Sequence, residues 1–151
     1  MQQWMAFLSM LVLSIQTFAF SCYYTVAKED CWKDYDVNVS IIDTVDDKLI
    51  AVVKVPKGEA WTRIRFDCQP KQTFKYTATY SPEFWKNQEG KVYLGKKTIS
   101  LPTEVKPGEA AWHIRLCFSD AFTAVPLPPT ANKTCKCDWT KVPELKPEKD
   151  K

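Results

Sequence analysis

Six cysteines, Cys22, Cys31, Cys68, Cys117, Cys135 and Cys137, are the side chains whose type and spacing speak first for chemistry. An even set in a short chain reads as a disulfide framework, the chemistry of an oxidising compartment. Cys135 and Cys137 are one residue apart. A ring that small strains the disulfide torsion, so each is expected to pair elsewhere. Cys68 and Cys117 end two alternating apolar runs and are expected to bridge a sandwich. Cys22 and Cys31 would then bind the Cys135-Lys136-Cys137 segment, stapling head to tail. The competing use, a metal centre, needs four converging thiolates or imidazoles in reduced form. With one histidine in the chain that set is hard to assemble, so neither a metal nor a cofactor is expected.

Catalysis finds little to work with. The one histidine, His113, falls on the polar side of an alternating run, and no nucleophile or orienting acid is placed beside it by spacing. The acid pairs Asp34/Asp36 and Asp46/Asp47 sit in turn-like, solvated segments. Four glycines, at 58, 90, 95 and 108, are too few and too scattered for a phosphate-cradling loop. No catalytic residue is assigned, and the chain is not expected to be an enzyme. Two sequons, Asn38-Val39-Ser40 and Asn132-Lys133-Thr134, make Asn38 and Asn132 candidate glycosylation sites. Val37, Val39 and Ile41 would share one strand face, leaving Asn38 and Ser40 to water.

The elements that hold these residues are short strands. Apolar residues recur at every second position over Val37–Val45, Ala60–Cys68, Thr73–Tyr80 and Ala110–Phe118, with Pro, Gly, Asn and Asp between the runs. Leu49–Val55 is apolar on both faces, which predicts a central strand; Lys91–Leu94 and Thr98–Leu101 are shorter. Some seven antiparallel strands in about a hundred residues predict an all-β, disulfide-bonded sandwich. Pro56-Lys57-Gly58-Glu59-Ala60-Trp61 and Pro107-Gly108-Glu109-Ala110-Ala111-Trp112 echo one another as entries into two such strands. The segment Val105–Leu116 also resembles the strand entry of fibronectin type III and related immunoglobulin-like domains, which implies the sandwich and says nothing of function.

Residues 1–21 carry no charge, and Trp4–Ile15 is apolar except for Ser9 and Ser14, the length of a signal-peptide core rather than a membrane span. Cleavage before Cys22 is expected, giving a leader 1–21, a sandwich domain 22–125 and a Pro/Lys-rich tail 126–151, with no transmembrane segment and a secreted product. A net charge of +3 is too small to suggest a nucleic-acid binder by itself, and none is expected. Charge is uneven, however: residues 22–47 hold seven acids and two bases, residues 48–97 eleven bases and four acids. Lys54, Arg63, Arg65, Lys71 and Lys75 are expected to share one sheet face. Phe84 and Trp85 lie in a loop after Tyr80, out of phase with the preceding strand, and with Lys75 and Lys86 they form the candidate binding surface. Trp85 could equally fold back to cap the sandwich. The function these features point to is non-catalytic recognition of an extracellular protein or receptor. The alternatives are a small lipid carrier whose sheets part, or a venom or host-directed effector on the same scaffold.

Overall fold

Alternation of apolar and polar side chains produces eight strands among the residues that the computed structural model describes, which are 19–87, 90–129, 131 and 135–145. They are β1 (Phe20–Lys28), β2 (Asp36–Asp43), β3 (Leu49–Val55), β4 (Trp61–Cys68), β5 (Thr73–Ser81), β6 (Tyr93–Leu94), β7 (Ile99–Ser100) and β8 (Ala111–Phe118). One sheet has the order β4-β1-β8. The other has the order β3-β2-β5-β6, with β7 also paired to β5. The two pack face to face as a disulfide-bonded β-sandwich. Trp32, Tyr24, Phe74, Phe118 and Ile41, all fully buried, fill the space between them.

Three features depart from the sequence expectation. β1 was not expected as a strand, because the apolar leader runs straight into it, yet it is the middle of the smaller sheet. The expected start of the domain at residue 22 falls inside it: Phe20 is buried, with its ring 4.6 Å from Trp112. β1 also runs parallel to β8, while every other pairing between strands is antiparallel. Finally, β3 is an edge strand rather than a central one. Its second apolar side is left to solvent, with Leu49 and Val52 each about half exposed.

The disulfides are Cys22–Cys68, Cys31–Cys135 and Cys117–Cys137. The expected Cys68–Cys117 bridge does not form, and the reason was present in the alternation. Cys68 follows Ile64 and Phe66 onto the core side of β4, whereas Cys117 shares the outer side of β8 with His113 and Arg115. Cys68 therefore meets Cys22 on the adjacent strand, Cα to Cα 5.9 Å. Cys117 meets the C-terminal segment that crosses the outside of the sheet. That segment is docked: Val142 is buried, and Arg63 Nη2 donates to the Pro143 carbonyl at 2.7 Å. Residues 146–151 and the Asn132 sequon lie outside the described residues. The two echoed entries lead into β4 and β8, the strands on either side of β1. Each turns at a glycine with positive φ, Gly58 at 85° and Gly108 at 86°, where a β-carbon would be strained.

Candidate functional site

An aromatic cluster closes one end of the sandwich. A short 3₁₀ turn, Asp30–Trp32, tethered by Cys31, drops Trp32 between the sheets. Its ring lies 4.8 Å from Tyr80, 4.8 Å from Phe118 and 5.3 Å from Tyr35. Phe84 follows β5 and returns to this cluster, stacked on Tyr80 at 5.1 Å and 17°. Tyr80 stacks in turn on Tyr93 of β6, at 5.7 Å. Trp85 leaves: it stands edge-on to Phe84 at 5.8 Å and keeps 51% of its surface exposed. Val92 and Leu94, flanking Tyr93, are also exposed, at 51% and 63%. Rigid aromatic backing beneath an exposed indole is the build of a recognition anchor. Trp32, the centre of this cluster, is not among the residues the sequence singled out. Its neighbour Cys31 was the available signal, since a staple beside a tryptophan fixes where the ring must go.

Of the expected site residues, Tyr80, Phe84 and Trp85 come together, and Lys86 is exposed beside them. Lys75 does not join them. It lies toward the opposite end of β5, on the outer face, paired with Asp47. The basic residues expected on one face are likewise divided. Lys54 and Lys75 belong to the larger sheet, Arg63 and Arg65 to the smaller, and Lys71 to the turn between β4 and β5. Consecutive strands of a sandwich often switch sheets, so a shared alternation phase does not mean a shared face.

Polar groups elsewhere are committed to structure. Arg63 Nε donates to Thr25 Oγ1 at 2.8 Å, and the same hydroxyl is hydrogen-bonded with His113 Nε2 at 2.7 Å. Burial, then the nearby Arg63 and Arg115, hold the His113 pKa below its ordinary value. Glu29, Cys31 and Cys135 bring a carboxylate and two sulfurs within 4.8 Å of one another, but the sulfurs are joined in a disulfide. Glu29 Oε1 accepts from the Ser119 N–H and hydroxyl, each at 2.5 Å. Asn38 is on the outer side of β2, half-buried between Lys54 of β3 and Thr79 of β5.

Lys28, 3% exposed at the end of β1, donates to the Tyr35 carbonyl at 2.7 Å and the Pro56 carbonyl at 2.8 Å. Burial pulls its pKa down to about 8, against the opposing pull of Asp36, Glu59 and Asp34. In the unfolded chain the same amine titrates at about 10.4. The unfolded state therefore binds more protons between these values, and stability rises with pH across that window. Burial holds Tyr24 and Tyr80 above their ordinary values, so above about pH 10 tyrosines ionise first in the unfolded chain and stability falls. Urea midpoints are expected to climb from pH 8 toward 10, and Lys28→Met is expected to flatten the climb. An unchanged slope in the variant would exclude Lys28 as its source.

A scan of protein-family models finds no match to this chain, and a search of curated proteins finds no significant relative. The class is therefore defined by the fold itself, a β-sandwich with three disulfides. Among the described residues no helix is long and apolar enough to cross a membrane.

Proposed function

We propose that the chain is a secreted, N-glycosylated, non-catalytic binding protein that recognises another extracellular protein through the loop carrying Trp85. The observation that carries this reading is the half-exposed indole of Trp85 set on Phe84, which is itself stacked into the core. Three disulfides support an oxidising, extracellular setting. The outward position of Asn38 on β2 suits a glycan. The burial of Thr25 supports a role without catalysis, because the hydroxyl beside His113 is fully enclosed and already engaged by Arg63. Large side chains filling the space between the sheets favour a closed sandwich over a lipid carrier. Lys86, exposed next to Trp85, would draw an acidic partner.

Trp85→Ala tests the loop. Its exposed position predicts a loss of no more than about 1 kcal/mol in stability. A partner captured from the extracellular fluid by the wild-type protein is expected to bind the variant at least about tenfold more weakly. A variant that unfolds several kcal/mol early while its folded fraction binds normally would assign Trp85 to capping instead. The same secreted material, sequenced from its amino terminus, is expected to retain Phe20, because removing it would shorten β1 and uncover Trp112.

A further inference from the structure

We propose that the outer face of the three-stranded sheet binds a sulfated polysaccharide. Strand register builds the surface. Across the sheet, Arg65 of β4, Tyr23 of β1 and His113 of β8 form one rung, and Arg63, Thr25 and Arg115 form the next. Neighbouring strands are about 4.8 Å apart, and alternate residues of a strand about 6.8 Å apart. The Cα atoms of Arg63, Arg65, His113 and Arg115 therefore stand at the corners of a rectangle of roughly 10 by 7 Å, with three guanidiniums and an imidazole rising from it. Two strands of opposite direction and one parallel pairing are needed to bring them into line, so the cluster exists only in the folded chain.

The guanidiniums are held in place before any ligand arrives. Arg65 donates from Nε and Nη2 to Ser21 Oγ at 3.0 and 2.8 Å, and Arg63 is fixed between Thr25 and the Pro143 carbonyl. Arg115 lies over the Trp139 ring at 5.7 Å, and Arg63 over the Trp61 ring at 5.5 Å. Asp67, one rung beyond, reaches Arg65 at 3.5 Å and offsets part of one charge. The surplus stays positive.

The chemistry of the face selects the ligand. The exposed large apolar side chains among the described residues are Val45, Leu49, Val52, Trp85, Val92, Leu94 and Leu127, none of them on this sheet. A protein partner would find charge here but, apart from the half-buried indoles of Trp61 and Trp139, no apolar anchor. Sulfate groups keep their charge at every physiological pH, and their oxygens match the planar fork of a guanidinium. Trp61 and Trp139, flanking the rectangle, offer indole surface against which the C–H face of a sugar ring packs. This surface is on the opposite sheet from the Trp85 loop, so either site can fail without the other.

His113 adds a signature. It faces Arg63, Arg65 and Arg115, with Tyr23 and Thr25 of β1 between, and the groove beside it along β7 is lined by Ile99, Ser100, Leu101 and Pro102, none of them charged. Burial first, and then repulsion from Arg63 and Arg115, holds the imidazole pKa down; an anion seated on the rectangle offsets the repulsion, so binding takes up protons and tightens as pH falls.

Calorimetry with a heparin hexasaccharide tests this, run in buffers of different ionisation enthalpy and at rising salt. Expected are binding that weakens steadily with salt, no binding of the desulfated hexasaccharide, and proton uptake that His113→Gln abolishes. Arg65→Gln/Arg115→Gln should weaken binding at least about tenfold, and Arg115→Lys, which keeps the charge but loses the fork, less. Lys86→Gln should leave it unchanged. Should the double variant fold poorly, Arg115→Lys and His113→Gln carry the test. The proposal is overturned if these variants bind like the wild type. It is also overturned if polyglutamate or phosphatidylserine vesicles bind and the hexasaccharide does not.

Discussion

Replacing Cys22 and Cys68 together with alanine is expected to lower the unfolding free energy by about 4 kcal/mol or more. The bond closes a loop with a sequence separation of 46. In the chain-entropy model a loop of that length contributes roughly 4 kcal/mol by restricting the unfolded chain. A second term adds to it. Both residues are buried, at 0% and 1% exposure, and truncating their sulfurs leaves space in the packed core between β1 and β4. The Cys117–Cys137 bond is the control, with a separation of 20 and both partners only half-buried on the outer face. Its removal should cost about 3 kcal/mol by the same model. Against a typical total of about 5–15 kcal/mol, the Cys22/Cys68 variant should be close to unfolding at physiological temperature. Denaturant titrations of the two double variants decide it: a smaller loss at Cys22/Cys68 than at Cys117/Cys137 would refute this account of the core bond.

Trp32→Ala should cost about 3–5 kcal/mol, as for the largest core truncations. The residue has no exposed surface and touches Tyr35, Tyr80, Phe84 and Phe118, so neither sheet can close over the gap without moving the other. Phe84 would lose part of its seat, and Trp85 stands on Phe84. The Ala variant is therefore expected to weaken partner binding as well as stability, whereas Trp85→Ala is expected to weaken binding with little loss of stability. Trp32→Phe separates shape from polarity. The indole Nε1 has no hydrogen-bond partner among the described residues, so exchanging it for phenyl removes a buried unpaired N–H along with some ring volume. Phe should cost much less than Ala. Thermal unfolding of the two variants checks this, and an Ala variant within about 1 kcal/mol of wild type would deny Trp32 its central place.

How much of this protein was legible in the chain depends on how far apart the interacting residues are. Side-chain alternation is a property of neighbours, and it located β2, β4, β5 and β8 to within a residue or two and put His113 and Arg115 on the polar side of β8. Turn chemistry is equally local: the echoed entries at Gly58 and Gly108 announced themselves by residue type. The out-of-phase step from Phe84 to Trp85 likewise marked a pair that could not both continue the strand, and the two do diverge in exposure. Sheet membership is not local. Nothing in the alternation of β4 and β5 tells that one joins β1 and the other β2, so Arg63 and Lys75 carry the same phase yet face opposite sides of the molecule. Disulfide pairing follows sheet membership, which is why Cys68 found Cys22 on the next strand and Cys117 found the tail. β1 was hidden for a different reason. A strand buried on nearly all its residues reads as more of the apolar leader before it, and only its two neighbours, one antiparallel and one parallel, define where it begins. The sequence by itself determined a disulfide-linked sandwich and an aromatic loop, because those follow from local pattern and composition. Only the tertiary structure decided that Arg63, Arg65, His113 and Arg115 share one face, because register between strands distant in the chain is set by the burial of the whole core and not by any one segment.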